Sequence, residues 1–488
     1  MSLAVRAVRG TAIILVSSYA NMAMGIGYGI VMARLLDPAH FGIFGLGLLF
    51  FSLPDVRSKL GLDFAFIHRQ PTTEALVATH WVLQMGAALI TLGVTIAIAI
   101  VVSQANYPPA TAPIMIALGS AMMLEAAGST ARAALEKELV FKRSTAIVTG
   151  ALLISYLAAI GMALNGLAYW ALVGQVAVNA LVGALGFWWA YRHMNVRPVI
   201  RFVFDRALAG WMIRFGTTVA LGAIASTMLL QFDNLLVGTF VGATALGFYL
   251  QAYKVAQWPT GLVTHIVSRA ALPTYAQLQA DTPRLSKAFG MSLWLILTVA
   301  TPIALAIFAS APDFLRWLYG DKWLPSAPLL RVLVIYSVLR PVLDDTGAFF
   351  NAIGQPKRMT TVLVIQAVTL IAIATPLTLA FQAIGTAIGV GAAFVVGIVL
   401  TYRFVSRTIP LDVIRMFLPP GIAALISTAA YFAIAALADL NALPLFVRVI
   451  VKGGFTVAAF YLIVFLIERR TLAERITYIW RLLRGRPA

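Results

Sequence analysis

A lysine stands in the middle of an apolar run. The stretch Gly247–Pro259, GFYLQAYKVAQWP, carries Lys254 together with Gln251, Gln257 and Trp258. Their three-to-four spacing gives a helix one wet face. An ammonium in such a setting faces an anion or pairs with a carboxylate. Asp233 is the carboxylate in range. Lys254 and Asp233 flank the turn around Gly242 and Ala243. At about 1.5 Å of rise per residue, both fall roughly 15 Å from that turn, at matched depth on two antiparallel helices. Two readings stay open. In one they form a structural ion pair. In the other they line a central cavity, with Lys254 facing an anionic substrate and Asp233 modulating it or carrying a proton.

Further charges fall in or beside apolar segments. Glu125, Ser129 and Arg132 share one helical face near the cytoplasmic end of their segment, which suits an ion pair or hydrogen bond, with proton carriage as the alternative. Arg340 and Asp344 are four apart and pair along one helix. Arg331 lies near an outer end and can snorkel. Arg57, Lys59 and Arg269 sit at the cytoplasmic ends of two helices. If those helices face each other, the three ring an inner mouth where a phosphate would first be met, with Arg34 as the outer counterpart. Each such charge matters because an Arg, Lys or Asp at a helix centre costs about 2.5–3.5 kcal/mol on insertion scales.

Other chemistries are excluded by composition. There is no cysteine, and the five histidines lack ligand spacing, so no metal site is expected. No GxxxxGK[ST] occurs, so no nucleotide site is expected. No cofactor and no catalytic residues are expected, and the chain is read as a non-enzyme.

The elements that must hold these residues are membrane helices. The chain has 488 residues, is 61% hydrophobic and only 11% charged, against roughly 25% charged in soluble domains. Arg6 and Arg9 precede an apolar segment that continues to about Leu36, longer than the ~7–15 residues of a signal peptide; it is read as an uncleaved first span. Counting runs of about 20 apolar residues gives about fourteen spans. The predicted fold is therefore all-α and polytopic.

The net charge of +18 is a topology signal rather than a nucleic-acid footprint. Lys and Arg cluster in alternate loops, around Arg57–Arg69, Lys137–Arg143, Arg192–Arg206, Arg284–Lys287, Lys357–Arg358 and Arg403–Arg415, and in the tail after Arg469. Such clusters mark the cytoplasmic side and suit contact with anionic membrane lipids. Both termini are then cytoplasmic. The outer loops are short; the longest, about 309–325, carries Asp313, Arg316, Asp321 and Lys322. The tail places Leu472, Ile476, Ile479 and Leu483 on one face, as in a helix lying on the membrane surface.

The chain also repeats itself. TAPIMIALGSAMML (111–124) aligns with SAPLLRVLVIYSVL (326–339), and the same offset puts Lys142–Arg143 on Lys357–Arg358. A slightly smaller offset puts Gly42 on Gly247 and Pro54 on Pro259. The expected organisation is two parallel six-helix lobes, 1–205 and 206–410, followed by two extra helices and the basic tail at 411–488. Two like lobes about a central site suit alternating access.

Several segments resemble one family. FDNLLVGTFVGATALGFYLQAYKVAQWP (232–259), LPTYAQLQADTPRLSKAF (272–289) and GDKWLPSAPLLRVL (320–333) resemble the second half of bacterial polysaccharide flippases, and LEKELVFKRSTA (135–146) and NGLAYWALVGQ (165–175) the first. These are the oligosaccharide-flippase branch of the multidrug/oligosaccharidyl-lipid/polysaccharide exporter superfamily. The resemblance implies a secondary transporter of the bacterial inner membrane. Its implied substrate is an oligosaccharide on undecaprenyl pyrophosphate, moved from the cytoplasmic to the periplasmic leaflet for O-antigen, capsule or exopolysaccharide assembly. A polysaccharide polymerase and a chain-length regulator are the candidate partners. The alternatives are a multidrug–cation antiporter of the same superfamily, which Asp233 and Glu125 would suit, or a membrane polymerase or ligase using the same lipid, which the short outer loops disfavour.

Overall fold

In the computed structural model the backbone is described for residues 3–193, 203–437 and 442–483; side chains are described there except at 3–15, 56, 58, 218–226, 228–229, 262–270, 413 and 470–483. Every regular element among the described residues is helical. That follows from the solvent. In hydrocarbon each backbone N–H and C=O must be satisfied within its own segment, and the helix does this.

The chain divides by contact into two compact units, Met1–Gly247 and Phe248–Ala488. The first contains α1 (Leu3–Leu35), α2 (Pro38–Ser52), α3 (Val56–Lys59), α4 (Leu62–His68), α5 (Glu74–Gln104), α6 (Thr111–Lys137), α7 (Phe141–Leu164), α8 (Tyr169–Arg192) and α9 (Arg206–Leu236). The boundary falls inside α10 (Ala243–Ala256). The second unit continues with α11 (Trp258–Leu278), α12 (Thr282–Tyr319), α13 (Ser326–Ser337), α14 (Leu339–Ala352), α15 (Pro356–Ser406), α16 (Val413–Leu437) and α17 (Leu445–Leu483).

Nine helical stretches among the described residues are long and apolar enough to cross a membrane, from Glu74–Gln104 to Leu445–Arg469. The chain is a multi-pass membrane protein. One of the nine, α15, holds two arms. Gln382 breaks it with φ 55 and ψ −142. The arms then fold back so closely that a Cβ on Gly389 would lie 2.4 Å from Ala374 Cα. Small residues allow such backbone approach, which is how helices pack where lipid is as apolar as the side chains. Gly128 does the same against Ala184, where an added Cβ would meet the Cα at 2.5 Å.

Local signals set the helix starts. The Thr73 hydroxyl accepts the Leu76 N–H at 3.2 Å to begin α5. Asp205 accepts the N–H groups of Ala207 and Leu208 to begin α9, and Asp281 accepts that of Arg284 to begin α12. Each satisfies a donor left over at a helix N-terminus.

In the first unit α6 is the central helix, packed on α2, α5 and α8, while α7 lies against α1 and α8. In the second, α12 takes that place, against α11, α13, α16 and α17.

One expectation is corrected here. The loop placed at about 309–325 is much shorter, because α12 continues to Tyr319. Asp313 is therefore inside a helix and buried. It receives Arg448 Nη1 at 3.1 Å and Lys452 Nζ at 2.5 Å, both from α17. Hydropathy alone ended the span too early; the carboxylate tolerates burial because two cations meet it. At its far end α17 departs from helical geometry at Glu468, φ −108 and ψ 22. The side chains that would define the amphipathic tail lie outside the described residues.

Candidate functional site

Lys254 lies near the end of α10, four residues before α11 starts at Trp258, with Pro259 in its first turn. Proline has no N–H to lose at a helix start, so it marks the beginning of α11. Gln257 sits in the joint between the two helices. Lys254 and Gln257 are exposed, Trp258 is half-buried, and Gln251 is buried. The polar row is thus divided. Gln251 hydrogen-bonds with Tyr319, and its amide nitrogen meets no protein partner. Trp258 stands edge-on to Phe314, with ring centroids 5.8 Å apart. The exposed part of the face is Lys254 and Gln257, with Trp258 at its edge.

Asp233 belongs to α9 in the first unit. It is buried, and its carboxylate accepts the Asn234 N–H at 2.8 Å.

The first unit holds a second polar cluster. Arg57 Nη2 donates to Glu125 Oε1 at 2.6 Å, and Arg132 Nε to Glu136 Oε1 at 2.8 Å. A cavity of about 240 Å³ opens beside them, lined by Arg57, Asp63, Glu125, Ser129, Arg132 and Asn179 among others. Behind Asp63, the wholly buried His80 lies 3.2 Å from its Oδ1. Gln84 Nε2 donates to the same oxygen at 2.8 Å, and His80 Nδ1 meets Thr130 Oγ1 at 2.8 Å. Burial pushes the Asp63 carboxyl upward, yet the His80 hydrogen bond and the charges of His80, Arg57 and Arg132 outweigh it and hold the group below the ordinary carboxylate range. The sequence signal for this cluster is faint: His80 and Gln84 are one turn apart in an apolar helix, but Asp63 and Thr130 come from other helices.

The remaining residues named from the sequence are dispersed. Lys59 is buried and donates to the carbonyls of Ser52 at 3.0 Å and Leu53 at 2.7 Å. It closes the C-terminal end of α2, where carbonyls lack helical partners. Burial pushes the Lys59 ammonium down, against the opposing charge of Asp55. Arg34 is exposed in the last turn of α1. The side chain of Arg269 lies outside the described residues. Arg331 donates to the carbonyl of Phe308 at 3.3 Å, and Arg340 pairs with Asp344 at 3.6 Å.

The second unit contains a carboxylate that sequence reading passed over. Asp345 is buried and accepts the hydroxyls of Tyr275, at 3.0 and 3.1 Å, and of Ser292, at 3.0 Å. Its donors stand 70 and 53 residues away in sequence, so no spacing rule finds them. Among the described residues no group of three or more His, Asp or Glu could hold a metal ion.

The comparisons with known proteins agree with this architecture. Over 353 residues the chain is 26% identical to the lipopolysaccharide biosynthesis protein WzxC of Escherichia coli (strain K12), covering 72% of this chain and 71% of that protein. It is 23% identical over 326 residues to the succinoglycan biosynthesis transport protein ExoT of Rhizobium meliloti (strain 1021), covering 67% and 65%. Its fold matches the lipid II flippase MurJ in an inward closed conformation, with a TM-score of 0.70 and 13% identity over 94% of this chain and 99% of that one. A family model described as polysaccharide biosynthesis protein matches residues 31–328. That match spans more than half of the chain, which therefore belongs to the polysaccharide biosynthesis protein family.

Proposed function

We propose that this protein is a secondary transporter that moves a lipid-linked oligosaccharide from the cytoplasmic to the periplasmic leaflet of a bacterial inner membrane, with both chain termini in the cytoplasm. Membership of the polysaccharide biosynthesis family supports the substrate class. The names of WzxC and ExoT place those relatives in lipopolysaccharide and succinoglycan biosynthesis, and the MurJ-like fold supports movement of a lipid-borne cargo. The undecaprenyl pyrophosphate carrier belongs to this proposal, as does the pair of six-helix lobes at 1–205 and 206–410 working by alternating access.

One observation carries the reading to particular residues. Lys254 is an exposed ammonium on an apolar helix, next to exposed Gln257 and the aromatic edge of Trp258. A pyrophosphate-linked sugar offers an anion to the first, hydroxyls to the second and a sugar face to the third. In this proposal Lys254 receives the phosphate, while Gln251, Gln257 and Trp258 make weaker polar and stacking contacts. Arg34, Arg57, Lys59 and Arg269 supply positive potential along the path, and Asp233 and Glu125 balance it.

The test is genetic. Deleting the gene should abolish surface polysaccharide, leave lipid-linked units unflipped in the cytoplasmic leaflet and leave drug sensitivity unchanged. Intact polysaccharide with heightened sensitivity to cationic drugs would support the antiporter alternative. Unpolymerised units accumulating on the outer leaflet would indicate a polymerase.

A further inference from the structure

The Asp63–His80 cluster plays no part in the phosphate-binding proposal, yet its geometry is that of a site built to change charge. His80 is wholly buried. Its two ring nitrogens meet different partners: Nε2 the Asp63 carboxylate at 3.2 Å and the Gln84 amide nitrogen at 3.3 Å, Nδ1 a threonine hydroxyl at 2.8 Å. A hydroxyl both donates and accepts. In the neutral ring Nε2–H donates to Asp63, and the Thr130 O–H donates to Nδ1. In the imidazolium Nδ1–H donates to Thr130 Oγ1, whose hydrogen rotates away. Both charge states are therefore hydrogen-bonded without movement of a heavy atom.

The pair also has access to solvent. The Asp63 side chain is half exposed and lines the cavity of the first unit, so protons reach the buried ring through the carboxylate. In that hydrogen-bonding scheme the added proton goes to Nδ1, where Thr130 Oγ1 accepts it. The charged groups around it come from three of the helices packed on α5. They are Asp63 from α4, Arg57 from α3 and paired to Glu125, and Arg132 from α6 and paired to Glu136. On the side of α9, the Asp205 N–H donates to Thr79, the residue before His80.

We propose that Asp63 and His80 together form a proton-binding site of the first unit, filled from the cavity that Asp63 lines, and that transport rises as this site fills. The second half rests on the transport reading above. Filling adds one positive charge beside Arg57 and Arg132, which favours an anionic cargo in the same cavity.

Two measurements test it in the full-length protein. In nanodiscs, histidine-selective NMR observes the five imidazoles, with the His80 signals identified by their loss in His80→Gln. The pair should take up a proton between about pH 5 and about pH 8, the range in which an imidazole commonly changes charge. Asp63→Asn should move that uptake to lower pH, because the imidazolium loses its counter-charge. In reconstituted vesicles, flipping of the lipid-linked oligosaccharide should be several-fold faster at about pH 6 than at about pH 8. His80→Gln should still flip, at a rate that no longer responds to pH over that interval.

An imidazole of unchanged charge across the range, or a wild-type pH response in His80→Gln, overturns the inference. Normal proton uptake with pH-independent flipping overturns its second half and leaves the transport reading standing. Normal uptake with no flipping at any pH contradicts the transport reading itself.

Discussion

Gly42 and Gly247 stand on helices that cross at backbone contact. A Cβ on Gly42 would lie 1.6 Å from the Ala243 carbonyl oxygen, and one on Gly247 would lie 1.9 Å from that of Pro38. Neither distance accommodates a methyl group, and in both cases the obstruction is backbone, which cannot rotate away. The same two glycines align with each other in the internal repeat. A single alanine at either position must force α2 and α10 apart. Overpacking of this kind costs about 1–3 kcal/mol. Gly42→Ala and Gly247→Ala should each lower the melting temperature of the purified protein by several degrees. Gly150→Ala, at a position with open space, should leave it unchanged.

The Asp313 centre makes a second stability prediction. Arg448 and Lys452 are mostly buried, and each has an oxygen of Asp313 as a close partner. Removing one carboxylate leaves two cations uncompensated, a change that in buried pairs costs about 3–5 kcal/mol. Asp313→Ala should loosen α17 from α12. Limited proteolysis should then cut between α16 and α17 faster than in the wild type. The triple change Asp313→Leu, Arg448→Met and Lys452→Met should recover much of the loss, because an apolar group can replace a buried ionic one.

The proposed membrane sidedness rests on the alternating loop charges, and the absence of cysteine provides a clean background for labelling. Cysteines introduced at Asn106 and Gly166 should react with an impermeant thiol reagent from the periplasm. Those at Gln70 and Gln279 should react only after the cytoplasmic face is opened. The reverse pattern would overturn the both-ends-in topology.

What the sequence made legible was what periodicity and hydropathy encode. The long apolar runs became helices, two of them the arms of α15 that meet at Gln382. Glu125, Ser129 and Arg132 line one cavity, as their one-turn spacing implies. Their surroundings were not legible. Arg57 reaches Glu125 across 68 residues, His80 reaches Thr130 across 50, and Tyr275 reaches Asp345 across 70. Such pairings depend on which helices adjoin, and a helix's own sequence does not record its neighbours. Asp313 shows the converse error. A charge beside an apolar run suggests a loop, whereas its partners lie on another helix. The division of the polar row at Lys254 has the same origin, since Gln251 is buried and meets Tyr319 of another helix.

The central claim is that Lys254 offers a cation to the phosphate of the cargo. The most direct measurement is flipping of a lipid-linked oligosaccharide in vesicles by wild type, Lys254→Arg, Lys254→Met, and Lys254→Met combined with Asp233→Leu, each first shown to be folded and inserted. Lys254→Arg, which keeps the charge and can grip phosphate in a bidentate way, should retain partial transport. Lys254→Met should lose it, and the double variant should remain inactive although both charges are gone. A double variant that flips at the wild-type rate would contradict the account, because it would make the lysine only a structural counter-ion of Asp233.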